Sequence, residues 1–252
     1  MESMNPFFIL NWKSYVASTE DVQALCSALA MWREHVKGGT VIICPPATLI
    51  DDVQACVAND QRLSGVRIGA QYLDADGKTG GLSVAMLRAA GVSAAIIGHA
   101  ERRAQSGETD ADVRAAWQQA ITHDILPIVC VGQDAPDPSY NGLRVQVGAA
   151  FGGAPATDVA QCIAVYEPVW AISSTPGSRM EQPDDITHAV EQVRIALGDT
   201  KPLAVLYGGS VTSATAASVF MSGSIDGILV GRASAFPDSL KELLEALTPF
   251  FS

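Results

Sequence analysis

Aromatic residues make up only 6% of the 252-residue chain and charged residues 17%, and among the charges the basic ones are scarce: 16 Lys and Arg against 27 Asp and Glu. The resulting net charge of −11 repels polyanions, so neither nucleic acid nor an acidic membrane surface is expected as a partner. No apolar run approaches the roughly 20 residues that cross a bilayer, because Gly or polar residues break every one. The first ten residues lack a basic start, an extended apolar stretch and a small-residue cleavage pattern, and a cytoplasmic location is expected. Close cysteine pairs are missing too. Cys26, Cys44, Cys56, Cys130 and Cys162 are odd in number, contain no CxxC and sit mostly in apolar segments, which favours buried free thiols over disulfides or metal ligands. Low-complexity tracts and short repeats are also absent, and residues 1–252 are expected to form one domain.

What is present is an alternation. Short β-branched or apolar runs are separated by longer stretches of helical periodicity, about eight pairs in all, the pattern of parallel βα units. The strand candidates are Phe7–Leu10, Thr40–Cys44, Val66–Ala70, Ala94–Ile97, Leu126–Val131, Cys162–Tyr166, Leu203–Tyr207 and Gly227–Val230. The clearest helices are Asp21–Val36, Ala111–Thr122, Pro183–Leu197 and Asp238–Leu247, with Ser18 or Thr19 to cap the first, Pro183 to open the third and Gly198 to end it. The stretch from Gly132 to Ala160, rich in Gly, Ala and Pro, reads as a loop with a short helix.

The chemically informative residues fall just after strand candidates, where a βα barrel gathers its site. The first strand runs into Asn11-Trp12-Lys13 and the fourth into Gly98-His99-Ala100-Glu101-Arg102-Arg103. The sixth runs into Tyr166-Glu167-Pro168-Val169-Trp170-Ala171-Ile172, the seventh into Tyr207-Gly208-Gly209-Ser210-Val211, and the eighth closes in Val230-Gly231-Arg232. Singly these mean little: a lysine after a strand is ordinarily solvated, and a glutamate at a strand end can simply pair with an arginine. Together they bring an acid, an imidazole, a lysine and two glycine-containing junctions to one face. The other histidines, His35, His123 and His188, lie on helical stretches and are expected at the surface.

In this order, from Asn11 to Arg232, the motifs NWK, GHxERR, YEPVWAI, YGGSV and DGxLVG resemble those of the triosephosphate isomerase family. The resemblance implies a single (β/α)8 barrel, a homodimer, and isomerisation of a small phosphorylated sugar without cofactor or metal. It implies that Glu167 is the proton-transfer base, that the neutral imidazole of His99 polarises the carbonyl oxygen, and that Lys13 and Asn11 attend the enediolate, with Glu101 orienting them. Phosphate binding falls to Ser173, Ser210, Gly231 and Arg232. Several positions depart from the family pattern. Ser173-Ser174-Thr175 follow Ala171-Ile172 where Gly-Thr-Gly is usual, Arg232 stands in place of a glycine, Ala100 in place of a serine, and Ser14, Tyr72 and Gly81 differ near the family's dimer contact. Two further readings stay open at this level: the same chemistry on a longer sugar phosphate such as a tetrulose phosphate, and a non-catalytic barrel that binds a phosphometabolite. An arginine at position 232 either faces solvent or turns inward to a phosphate or an extra hydroxyl.

Overall fold

The computed structural model describes residues 5–74, 79–172, 181–222 and 224–251. Eight parallel strands, β1 (Phe7–Asn11), β2 (Thr40–Cys44), β3 (Arg67–Ala70), β4 (Ala94–Ile97), β5 (Leu126–Val131), β6 (Ile163–Tyr166), β7 (Ala204–Tyr207) and β8 (Gly227–Val230), pair in sequence order and close into a barrel. Around it run α1 (Thr19–His35), α2 (Ile50–Asn59), α3 (Val84–Ala89), α4 (Ala100–Ser106), α5 (Asp110–Thr122), α6 (Asn141–Phe151), α7 (Ala156–Val159), α8 (Pro183–Leu197), α9 (Ser213–Met221) and α10 (Pro237–Leu247). This is the (β/α)8 architecture expected, with strand ends shifted by a residue at most.

Side chains alternate across each strand and so make two cores. Ile9, Ile42, Ile96, Ile128, Ile163, Val165, Leu206 and Leu229 fill the barrel. Their neighbours Phe8, Leu10, Ile43, Val129, Tyr166, Val205 and Tyr207 face the helices. The helices answer with apolar stripes. Leu240, Leu243, Leu244 and Leu247 of α10 are all buried, and each contributes roughly 1.5–3 kcal/mol by leaving water. Caps fix the helix starts: the Ser18 hydroxyl accepts from the Asp21 N–H at the head of α1, and Thr109 and Asp112 form a reciprocal capping box on α5.

The Gly132–Ala160 stretch is more regular than its composition suggests. It contains α6, eleven residues long, and the single turn α7. Glycines at 142 and 148 lower the intrinsic helix propensity, but Leu143, Val147, Ala150 and Phe151 fall on one face and are buried. Phe151 packs against Trp117 of α5, ring centroids 6.0 Å apart, and the Trp117 indole N–H donates to the Ala150 carbonyl at 2.7 Å. Tertiary packing overrides the local preference. The cysteines are all free, four of them buried and Cys56 half-buried. His35, His123 and His188 are exposed, and no helix among the described residues is long and apolar enough to cross a membrane.

The barrel closes where β1 meets β8, with Phe7 opposite Gly227. A Cβ at Gly227 would lie 2.1 Å from the Phe7 carbonyl oxygen and 2.7 Å from its nitrogen, both backbone atoms that cannot turn aside. Gly227→Ala is therefore expected to destabilise the fold by about 3 kcal/mol or more. Urea unfolding followed by circular dichroism measures this, and an unchanged midpoint would show that the seam yields.

Candidate active site

At the end of β1, Asn11 is buried and its Oδ1 accepts the Lys13 N–H at 3.1 Å. Lys13 itself has φ of +48°, a left-handed conformation disfavoured for a side chain with a Cβ. The turn is held by Gln71, whose Nε2 donates to the Lys13 carbonyl at 2.8 Å and to the Cys44 carbonyl at 3.1 Å. Held this way, the Lys13 ammonium pairs with Glu101 Oε1 at 3.0 Å. On its other side a Cβ at Gly231 would come within 3.1 Å of Lys13 Cε, so Gly231 leaves room for the lysine stem.

After β4 the chain turns through Gly98 into α4, and His99 caps that helix. Its Nδ1 accepts the Glu101 N–H at 3.1 Å, which leaves the ring proton on Nε2. Nε2 lies 3.0 Å from Glu167 Oε1. The second carboxylate oxygen of Glu167 accepts the Ala100 N–H at 2.8 Å. Position 100 has no hydroxyl, so the backbone alone supplies that donor. Glu167 and His99 are 2% and 4% exposed, a carboxylate and an imidazole satisfied by one another at the barrel mouth.

The backbone of Glu167 is equally confined. Its N–H donates to the Val131 carbonyl at 2.8 Å, and a Cβ at Gly132 would sit 2.0 Å from its carbonyl oxygen. Cys130 lies beneath the carboxylate; burial first, and the Glu167 charge second, push its thiol well above the usual range, which keeps it protonated there. Gln71 and Gly132 are not singled out by the sequence motifs, although each directly follows a strand; Cys130 is the buried free thiol expected.

Ser210, Gly231 and Arg232 line a cleft of about 490 Å³ at the ends of β7 and β8, together with Gly209, Val211 and Thr212. The Ser210 N–H is occupied here by a 2.8 Å bond to the Ala171 carbonyl, which ties the loop after β7 to the loop after β6. Arg232 is exposed, its guanidinium 5.6 Å from the Tyr15 ring centroid and 5.7 Å from that of Phe236. Ser173 lies outside the described residues, as do positions 174 to 180.

The structure thus brings Asn11, Lys13, His99, Glu101 and Glu167 to one mouth of the barrel, with the Ser210–Gly231–Arg232 cleft on the same face. A buried carboxylate beside an N–H donor and a lysine is equipped to move a proton next to a carbonyl whose oxygen is being stabilised. The family profile described as triosephosphate isomerase matches residues 6–247. A triosephosphate isomerase from Dinoroseobacter shibae is 36% identical over 94% of this chain and 96% of its own length. Those from Roseiflexus castenholzii and from a Jannaschia species are 33% and 35% identical, covering 97% and 94% of this chain and 98% and 96% of their own lengths. Agreement across nearly the whole of each chain, joined to the barrel and to the residues gathered at its mouth, places this protein in the triosephosphate isomerase family.

Proposed function

We propose that this protein interconverts D-glyceraldehyde 3-phosphate and dihydroxyacetone phosphate by proton transfer through an enediolate. The observation that carries the reading is the 3.0 Å contact between Glu167 Oε1 and His99 Nε2. In the empty site base and polarising donor touch directly, so a substrate's carbonyl-bearing carbon parts them and lies between carboxylate and imidazole. On substrate binding Glu167 releases the Ala100 N–H and takes a proton from the carbon next to the carbonyl. His99, freed from Glu167, donates Nε2–H to the carbonyl oxygen. Returning the proton to the neighbouring carbon, while the hydroxyl proton passes to the former carbonyl oxygen by way of His99 Nε2, completes the isomerisation.

Lys13 provides the positive charge for the developing oxyanion, and Asn11 and Gln71 hold it in a conformation it would not otherwise adopt. Glu101 holds the ammonium in the empty site and fixes the His99 tautomer through its own N–H. The phosphate is assigned to the cleft of Ser210, Gly231 and Arg232, and the family resemblance adds Ser173. A local site of this kind is needed in a chain of net charge −11. Residues 1–252 are taken as one domain acting in the cytoplasm without cofactor or metal.

Two copies are proposed to associate, the exposed turn at Thr79 and Gly80 of one lying near Lys13 of the other. Sedimentation equilibrium is expected to give twice the chain mass; a monomer at micromolar concentration would count against the pairing.

Glu167→Gln removes the base while keeping the shape. It is expected to lower kcat by about 10³-fold or more, roughly 4 kcal/mol of transition-state stabilisation, with little change in binding of a phosphorylated inhibitor. A coupled assay on both trioses reads this directly, and near-normal kcat would remove Glu167 from the role.

The exposed guanidinium over Tyr15 and Phe236 favours the solvent-facing arrangement of Arg232. Arg232→Gly is then expected to change kcat/KM for three-carbon and four-carbon sugar phosphates equally, by no more than a few-fold. A loss confined to the four-carbon substrate would instead show the side chain turned inward onto the sugar.

A further inference from the structure

Behind the base, on the helix-facing side of β6, lies a carboxyl group that the proposed chemistry does not use. Glu181 stands two residues before α8 and is 7% exposed. Its Oε1 accepts the Tyr166 hydroxyl at 3.0 Å, while Oε2 is buried without a hydrogen-bond partner. The residue also lines a cleft of about 590 Å³ shared with Gln133, Asp137, Tyr140, Asp185 and His188. The Gln133 side-chain oxygen is a second buried acceptor without a partner. A buried carboxylate oxygen without a donor is costly, and the cost is relieved when Glu181 carries a proton.

Tyr166 connects this carboxyl to the catalytic base. It immediately precedes Glu167, its side chain faces the helices, and its carbonyl accepts the Gly208 N–H at 2.8 Å. The ring leans on Tyr207 at 6.2 Å, so its hydroxyl end is anchored by Glu181 and its body by β7. On the same side, the Gln133 carbonyl accepts the Val169 N–H at 3.1 Å, just beyond Glu167.

We propose that Glu181 is a positioning residue for the catalytic base: through the Tyr166 hydroxyl it sets how firmly the end of β6 is held, and its grip follows its own ionisation. An ionised carboxylate accepts a shorter and stronger bond from a phenol than a neutral acid does. The surroundings put the transition within the physiological range. Burial pushes the Glu181 carboxyl up to about 7, the Tyr166 bond opposing the rise and the Asp185 charge adding to it. Among the described residues, the titratable groups that line its cleft or feel its charge are Tyr166 from β6, Tyr207 from β7, Asp137 and Tyr140 ahead of α6, and Asp184, Asp185 and His188 from α8. Among the described residues lining the cleft none is Lys or Arg.

This inference rests on the isomerase reading and is tested within it, by following kcat at saturating triose phosphate so that ionisation of free substrate does not enter. In the unaltered protein kcat is expected to rise about threefold between about pH 6 and about pH 8, with KM, expressed for the phosphate dianion, unchanged. Glu181→Gln, which keeps the acceptor and removes the charge, should hold kcat at the low-pH level throughout. Tyr166→Phe, which keeps the charge and removes the donor, should also abolish the rise, and it carries the test alone if the first variant does not fold.

A second measurement follows the group itself. Because its folded-state value lies above that of an ordinary carboxyl, protonated Glu181 stabilises the fold at low pH, and that contribution is lost as pH rises through about 7. The melting temperature of the unaltered protein relative to Glu181→Gln should fall between about pH 4.5 and about pH 7 and level off above. A kcat rise that persists in both variants, or one carried by KM, overturns the positioning role while leaving the isomerase intact. Absence of isomerisation at every pH in the unaltered protein overturns the function itself.

Discussion

The seam between β1 and β8 is the constraint on which the site depends. Eight strands close only if the first and last lie flat against each other, and Gly227 permits this by presenting no Cβ to the Phe7 backbone. Closure in turn fixes which side of every strand faces inward. The Glu167 carboxylate reaches His99 from β6 because Val165 points into the barrel and Tyr166 out of it. Shift one strand by a residue and Glu167 would exchange places with Tyr166. The chemistry at the mouth and the packing under the helices are two faces of one register.

Charge is arranged against the background of the whole chain. A protein with an excess of eleven negative charges places a lysine at its barrel mouth, between the β1 turn and Gly231, and balances it with Glu101. The ammonium is therefore never left alone among apolar groups, and an arriving anion competes with a carboxylate already in place. Strain at Lys13, held by Asn11 and Gln71, orients the charge before substrate arrives.

Much of this was legible in the sequence because strand-end positions carry both a fold signal and a chemical one. Asn11, Lys13, His99, Glu101 and Glu167 could be picked out since each closes or follows a short β-branched run, and their order matched one family. Gln71 directly follows β3 yet gives no signal of a role: an amide carries no chemistry of its own, and its task, holding a left-handed lysine, exists only in the folded backbone. Helix α6 is faint in the sequence for a different reason. Its glycines speak for a loop, and only contact with Trp117 and its neighbours outweighs them. The Ser210 N–H bond to Ala171 and the Tyr166–Glu181 pair join segments separated along the chain, and no local pattern announces them.

The mutual hydrogen bonding of Glu167, His99 and Ala100 has a consequence for the enzyme between turnovers. A desolvated carboxylate strong enough to abstract a carbon-bound proton would be a hazard if it stood open to any carbonyl compound that drifted in. Here its two oxygens are covered by donors from the same short stretch of chain. A small molecule without a phosphate to anchor it has little binding energy with which to pry those contacts apart, whereas a phosphorylated sugar brings its own. On the proposed assignment the resting pair acts as a safety catch, and selectivity for phosphorylated substrates is built into the reagent as well as into the cleft assigned to the phosphate.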